Sequence, residues 1–437
     1  MEAVGARQRV IDGMLDAVAR RGYTEASIAQ AIASAHVSRS TFYEHFTGKE
    51  DCFLAGYEEL GRRMTEELSR SAERAGWAEK ADAILGAVLD PEERSAPRWR
   101  LLLTLARGGG PAVRLARERL VAEIEELFDA TLAGAPAGGL TLDVPSKALL
   151  GGVRSVLSVR RYEGAADGGE RGQLARWARS YAVRAGPRPP RHSPADWARL
   201  GSALCPAGAA TRVPREPRSL PRGRARLPAE TVSREHQLRI LAATAAVMCE
   251  QGYAASRVAD IVRSAHVSRD VFYTHFHGKQ EAFIATQRFA LGQATSACSR
   301  AFFSGGQWPE RVWSGLRALL EQAAANPELT HLVLIEPSAA MGAARQQMID
   351  SLRGFTVFLE EGYRQSERAG GLPRLCSDAI AGAIYELMYH HAVTGRTARM
   401  VELTPQCAYV ALAPFMGPEQ AIRFVELEAA QAGARER

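Results

Sequence analysis

The sequence predicts an all-α protein built as two tandem units, each a three-helix helix-turn-helix unit followed by a longer helical domain. Three observations predict it: apolar residues recur at helical spacing nearly throughout, no segment sustains the alternation of a strand, and one stretch of the chain is written twice. The 437 residues are enough for two or more domains with sizeable cores.

The repeat comes first because it sets everything else. Ser34-Ala35-His36-Val37-Ser38-Arg39 returns as Ser264-Ala265-His266-Val267-Ser268-Arg269, displaced by 264 − 34 = 230 positions. Over positions 34–51 twelve of eighteen residues are identical at that offset. The register persists outside the block: Gly22-Tyr23 matches Gly252-Tyr253, Pro97 matches Pro327, Phe128 matches Phe358 and Gly152 matches Gly382. A repeat unit of about 200 residues is far beyond a solenoid unit of roughly 20–45, so two whole domains were duplicated and fused. The expected domains are residues 1–50 and 231–280 (the helix-turn-helix units), 51–205 and 281–437 (the helical domains), and a Pro/Arg-rich linker at 206–230.

Within each 50-residue unit the elements can be justified in turn. Val10, Ile11, Met14, Leu15 and Val18 make one stripe of a first helix; Ile240, Leu241, Thr244, Ala245 and Met248 take those places in the second copy. A short second helix follows, with Ile28 and Ile32 (Val258 and Val262) expected in the core. Ala35-His36-Val37 then reads as a tight turn and Ser38 as the N-cap of a third helix running to about Phe46. Phe42 and Phe46 face the core at i, i+4. That leaves Arg39, Ser40, Thr41, Tyr43, Glu44 and His45 on the outer side, short hydrogen-bonding groups near a helix N-terminus that suit insertion into a major groove. The free N–H groups and the dipole of that terminus favour phosphate, and Lys49, at the start of the next helix, can ion-pair with the backbone.

These residues resemble the tetracycline-repressor (TetR/AcrR) family. Gly22-Tyr23, Ala35-x-Val37-Ser38, Thr41-Phe42-Tyr43-x-His45-Phe46 and Gly48-Lys49-Glu50 carry the resemblance, and the second copy matches from Gly252 through Lys279. The resemblance implies an all-α ligand-binding and dimerisation domain after each reader, a small-molecule effector that releases operator DNA, and pairing through a four-helix bundle. It also implies DNA-contact roles for Thr41, Tyr43, His45 and Lys49 and for Val271, Tyr273, His275 and Lys279, beside the cap and first-turn residues Ser38, Arg39, Ser40, Ser268, Arg269 and Asp270. The chain departs from the family at the turn, where His36 and His266 stand in place of glycine. It departs again at Asp270, which would repel phosphate or accept from cytosine N4, and at Val271, whose methyls can touch only apolar groups such as thymine's.

Because the readers differ at 40/270, 41/271 and 44/274, the expected assembly is an intramolecular pseudo-dimer on two unlike half-sites about 34–36 Å apart; two chains pairing half to half are the alternative. A flexible linker of 25 residues spans roughly 25–30 Å, which allows the first. The pairing surfaces are expected at Pro145–Tyr162 with Arg171–Val183 and at Asp378–His391 with Thr404–Phe415. There Gly151-Gly152 and Ala381-Gly382-Ala383 permit close helix approach.

Composition limits the other classes. The net charge of +6 is local: residues 186–228 hold nine arginines against Asp196 and Glu216, a balance of +7, so the rest sums to −1. The six cysteines are scattered without a C-x-x-C pair, the first residues run straight into a helical pattern, and no apolar run reaches the ~18–20 residues of a membrane span; a cytoplasmic protein is expected. Phe302, Phe303, Trp308, Trp313, Met341, Met348, Phe355, Phe358, Tyr385, Met388 and Tyr389 make the second half the better place for a sensor pocket. The first half offers Trp77, Trp99, Phe128 and Trp177. Glu386 and His390, one turn apart, read as a hydrogen-bonded pair more readily than as a metal site, and no catalytic motif or cofactor fingerprint stands out, so neither an enzyme nor a cofactor is expected. The rival reading is a cytoplasmic small-molecule- or protein-binding module whose readers no longer grip DNA, which Asp270 and the near-neutral charge of both readers favour.

Overall fold

The computed structural model describes residues 2–23, 25–74, 101, 109–133, 140–162, 170–184, 194–202, 204, 228–336 and 342–435. Trp77, Trp99, Cys205, Met341 and the expected linker up to residue 227 lie outside the described residues. Two compact units form. The first comprises Met1–Pro194, Ser366–Glu386 and Ala413–Gln420, and the second Ala195–Gln365, Leu387–Leu412 and Ala421–Arg437. Each unit therefore draws segments from both repeats.

In the first unit α1 (Glu2–Arg21), α2 (Ile28–Ala35) and α3 (Arg39–His45) form the helix-turn-helix unit, and α4 (Lys49–Arg74) leads away from it. The expected stripe Val10, Ile11, Met14, Leu15 and Val18 is buried. Ile28 and Ile32 are only partly buried; Ala31 and Ala35 are the enclosed residues of α2. The reason is close approach: a Cβ on Gly13 of α1 would lie 2.5 Å from the Ala31 carbonyl oxygen, so the helices meet at small residues and the isoleucines spread to the sides. Cys52, Phe53, Tyr57, Leu60, Met64 and Leu68 give α4 one buried face, against α1 and α5 (Pro111–Ala133).

Beyond α5, Leu140–Leu142 (β1) pairs antiparallel with Ala182–Arg184 (β2), with Thr141 opposite Val183. Between them lie α6 (Ser146–Tyr162) and α7 (Glu170–Arg179). Within the expected pairing segment Arg171–Val183 the helix thus stops at Arg179. The chain turns at Ser180 and Tyr181 and finishes as a strand, because the Tyr181 carbonyl accepts from Asp143 N at 2.9 Å and extends the pairing.

The second unit begins with α8 (Pro194–Ser202), whose Trp197 packs on Tyr409 with ring centroids 5.3 Å apart. Next come α9 (Ala229–Ala255), α10 (Val258–Ala265), α11 (Arg269–His275) and α12 (Lys279–Phe302). The helix starts at Ala229, so the last residues of the expected linker are already helical. α13 (Trp308–Ala325), α14 (Pro327–Leu334) and α15 (Gly342–Phe355) follow, and Leu329, Leu332 and Ala344 from the last two complete the core of the second helix-turn-helix unit. The remaining helices are α16 (Glu360–Gln365), α17 (Leu375–Val393), α18 (Thr404–Met416) and α19 (Pro418–Arg435). The residues of α17 up to Glu386 belong to the first unit. There a Cβ on Gly382 would overlap Ser155 Cβ, and one on Gly151 would overlap Glu386 Cβ, so α6 and α17 cross in near contact. Among the described residues no helix is long and apolar enough to cross a membrane.

Candidate nucleic-acid interface

Each interface is built from its caps. Ser27 and Gln30 cap α2 reciprocally, Gln30 N donating to Ser27 Oγ at 3.3 Å and Ser27 N to Gln30 Oε1 at 3.0 Å. In the second copy the cap is one-sided: Arg257 N donates to Asp260 Oδ2 at 3.2 Å. Both short helices end on a histidine in the left-handed region, His36 at φ 52° and His266 at φ 53°. Val37 N then donates back to the Ile32 carbonyl at 3.2 Å, closing the helix end where a glycine would sit without Cβ strain.

Ser38 and Ser268 cap the third helices as expected, accepting from Thr41 N at 3.0 Å and Val271 N at 3.2 Å. Behind those helices Phe42, Phe46, Phe272 and Phe276 are buried, with ring centroids 5.8 Å apart in the first pair and 5.9 Å in the second. Burying each ring contributes roughly 1.5–3 kcal/mol, which fixes the helix by its back. In front, Ser38, Arg39, Ser40 and Tyr43 are exposed and Thr41 and His45 half-buried; Ser268, Arg269, Asp270, Tyr273, Val271 and His275 repeat that pattern. Tyr43 and Tyr273 show 48 and 47 % of their surface, against the usual burial of a large ring. Arg39 lies over the Tyr43 ring, 5.8 Å from its centroid. In the first copy the hydroxyls of Ser38, Ser40 and Thr41 bond one another at 2.7–2.8 Å, a small polar patch that Asp270 and Val271 abolish in the second. Burial, with a smaller effect of His236, lowers the His275 pKa, so this side chain offers a neutral imidazole at pH 7.

Both lysines make contacts within the fold. Lys279 Nζ donates to the carbonyls of Tyr253 at 2.7 Å and Ser256 at 2.9 Å and lies 4.5 Å from the Tyr253 ring centroid. It ties the start of α12 to the end of α9, at the negative pole of that helix, where a cation is favoured. Burial lowers its pKa. Lys49 sits 4.4 Å over Tyr23, its pKa lowered by burial and partly restored by Glu25. Each ammonium thus has a partner within the fold while its side chain stays half-buried. The anchoring turn also explains Gly252 (φ 75°) and Gly22 (φ 84°), which reverse the chain so that Tyr253 and Tyr23 lie under the ammonium groups.

A feature that sequence reasoning missed joins the second copy to its helical domain. Glu336, 2 % exposed, accepts from Tyr253 N at 2.7 Å through Oε2 and lies 3.4 Å from His331 Nε2 through Oε1. Burial opposes charge on His331, but its hydrogen bonds to Cys249 and Glu336 outweigh that and raise its pKa to about 9. At the positions 230 earlier, corresponding to Cys249, His331 and Glu336, the first repeat has Ala19, Leu101 and Ala106, none of which can carry a proton or a charge.

The expected sensor aromatics divide. Trp308, Trp313, Met348, Met388 and Tyr389 are core, whereas Phe303 is 70 % exposed. In the first half Trp177 and Phe128 are fully enclosed. The Glu386 carboxylate is held by Arg117, at 2.8 Å, and by Arg154.

Residues 11–55 and 240–286 each match the tetR family of bacterial regulatory proteins. The HTH-type transcriptional repressor AcnR of Corynebacterium efficiens is 26 % identical over 147 residues, 33 % of this chain and 74 % of that protein. Among solved structures, the fatty acid degradation regulator FadR of Bacillus halodurans aligns at 18 % identity and TM-score 0.37, covering 40 % of this chain and 95 % of that one. FadR of Bacillus subtilis, solved with stearoyl-CoA, aligns at 18 % identity and TM-score 0.36, covering 41 and 98 %.

Proposed function

We propose that this chain, a tetR-family protein carrying that family's N-terminal domain in duplicate, is a ligand-responsive transcriptional repressor that acts as a single-chain pseudo-dimer on two unlike DNA half-sites. The observation that carries the reading is the twofold recurrence of one geometry: a seven-residue helix with a serine cap, buried phenylalanines behind it and an exposed first turn and tyrosine in front. The AcnR relative is named a repressor, which supports that direction of control. Thr41 and Ser40 supply hydroxyls to bases or phosphate in one half-site. Asp270 and Val271 favour a cytosine amino group and a thymine methyl in the other. Tyr43, Tyr273, Arg39, Arg269, His45 and His275 flank these contacts, with the free N–H groups behind Ser38 and Ser268 turned to phosphate. Lys49 and Lys279 act mainly by holding the reader's shape.

Intramolecular pairing is supported by the near contact of α6 with α17 at Gly151 and Gly382. For the effector we favour the second half. There Gln287 is fully buried, its amide nitrogen donates to the Ala344 carbonyl at 3.1 Å, and its Oε1 has no partner among the described residues, an acceptor suited to a ligand's donor. Selection from random duplexes, followed by gel shift and light scattering, tests the proposal. One 47.4 kDa chain per asymmetric operator, with affinity falling as salt rises, is the expected result. Two chains on one short operator would remove the pseudo-dimer. No enriched sequence would leave the binding module, which Asp270 and the internal engagement of Lys279 favour.

A further inference from the structure

Arg117, Arg154 and Glu386 are buried together in the first compact unit, at 1, 6 and 2 % exposure. Glu386 holds one guanidinium on each carboxylate oxygen, Arg117 on Oε1 at 2.8 Å and Arg154 on Oε2, and Arg117 also meets Glu118. Each guanidinium thus meets a carboxylate, the pairing that buried charges need. The guanidiniums come from the first repeat and Glu386 from the second. Around them the helices leave no slack: residue 151 of α6 meets 386 of α17 while 155 meets 382, an antiparallel crossing at glycines.

The 230-residue register, anchored here by Gly152 and Gly382, supplies the comparison. Arg154 corresponds to Ile384, and Glu386 corresponds to Val156. A pairing of α6 with α17 therefore contains one ion pair where a symmetric pairing has none. Two copies of α6 would bury Arg154 against Val156 twice, with no carboxylate from the facing helix. Two copies of α17 would bury Glu386 against Ile384 twice, with no cation. We propose that the Arg117–Arg154–Glu386 cluster is a partner-selecting lock, which makes the first repeat's pairing helix accept the second repeat's and reject a copy of itself. The lock rests on the half-to-half pairing proposed above and names the residues that enforce it. Duplication would have left two identical surfaces able to pair in every combination; one arginine and one glutamate suffice to single out the mixed one.

Charge-exchanged full-length chains test this. One chain carries Glu386→Arg and one affinity tag, the other Arg154→Glu and a second tag. In each alone, like charges meet at the lock. Together, the first chain's Arg154 meets the second chain's Glu386, and the two substituted residues meet each other. Co-expression should raise the fraction of material carrying both tags by at least about ten-fold over either variant expressed with itself, one decade in pairing equilibrium. Wild-type chains under the two tags should not mix, because the tether favours pairing within a chain. Wild-type chains that do mix would sink the single-chain reading. Exchanged chains that stay apart, mix equally with themselves, or are as insoluble together as apart would sink the lock.

Discussion

Replacing Glu336 by glutamine keeps the side chain's size and one acceptor oxygen but removes its charge, so it isolates the electrostatic part of the link between α14 and the second helix-turn-helix unit. Two terms follow from the structure. The first is the hydrogen bond from Tyr253 N, 2.7 Å long and charge-assisted; with a neutral acceptor it weakens by about 1 kcal/mol. The second is His331, whose pKa stands at about 9 against an ordinary 6.5. That difference corresponds to about 3 kcal/mol of linkage, and because Cys249 and Glu336 share the cause, about 1–2 kcal/mol disappears with the carboxylate. The folded-state pKa is the raised one, so the folded protein holds the His331 proton more tightly than the unfolded chain does. The stabilisation is therefore complete below about pH 6.5, declines as pH rises, and is gone above about pH 9. Near pH 6 Glu336→Gln should cost about 2–3 kcal/mol in all, a fall of roughly 4–12 °C in the melting temperature of a domain this size. Near pH 10 only about 1 kcal/mol should separate it from the wild type. Thermal and urea unfolding across that range measure the gap between the two curves. A gap that stays constant with pH would refute the assignment of charge to His331; no gap at all would refute the hydrogen bond as a stabilising contact.

Three further outcomes are expected. Lys279→Met removes the ammonium that ties α12 to the Tyr253 and Ser256 carbonyls and should cost about 1.5–3 kcal/mol of stability without DNA present, read by chemical unfolding; an unchanged midpoint would return this lysine to a phosphate role. His36→Gly and His266→Gly relieve left-handed strain at φ 52° and 53° and should each raise stability by about 0.5–1 kcal/mol, less the greater freedom of the unfolded chain, as calorimetry would show. Val271→Thr with Asp270→Ser rebuilds the first copy's hydroxyl patch in the second. It should shift the selected operator toward a symmetric pair of half-sites, each altered base pair carrying about 1–3 kcal/mol of discrimination.

What is legible in the sequence is local. The stripe Val10–Val18, the serine caps, the phenylalanine spacing and the turn at His36 are all fixed by contacts within about ten residues, and periodicity reports them directly. The same logic misplaces Ile28 and Ile32, because apolar spacing on an eight-residue helix does not reveal that Gly13 draws α1 against Ala31 and pushes the larger side chains outward. Nor does it mark where helix gives way to strand within the pairing segment Arg171–Val183. The strand at Ala182–Arg184 depends on a partner some forty residues earlier, which no local pattern carries.

The charged residues are the hardest to read, for a reason that applies along the whole chain. A lysine or glutamate is assigned to solvent or to a ligand by default, since such groups are rarely buried unless paired, and the pairing partner is invisible when it is distant in sequence. That default sends Lys49 and Lys279 to phosphate. Yet the Lys279 ammonium meets carbonyls more than twenty residues back. Glu336 stands out in no pattern, although its acceptor oxygen caps an amide eighty-three residues away. Arg154, in Leu149-Leu150-Gly151-Gly152-Val153-Arg154, does carry a signal: a lone cation inside an apolar, glycine-bearing helix needs a counter-charge from elsewhere. Duplication makes that signal usable. Where two copies agree, as at Ser38 and Ser268, the residue serves the fold or the shared task. Where they differ in charge at buried positions, as at Arg154 and Ile384 or Val156 and Glu386, and the two differences meet each other, the mismatch itself points to the partner.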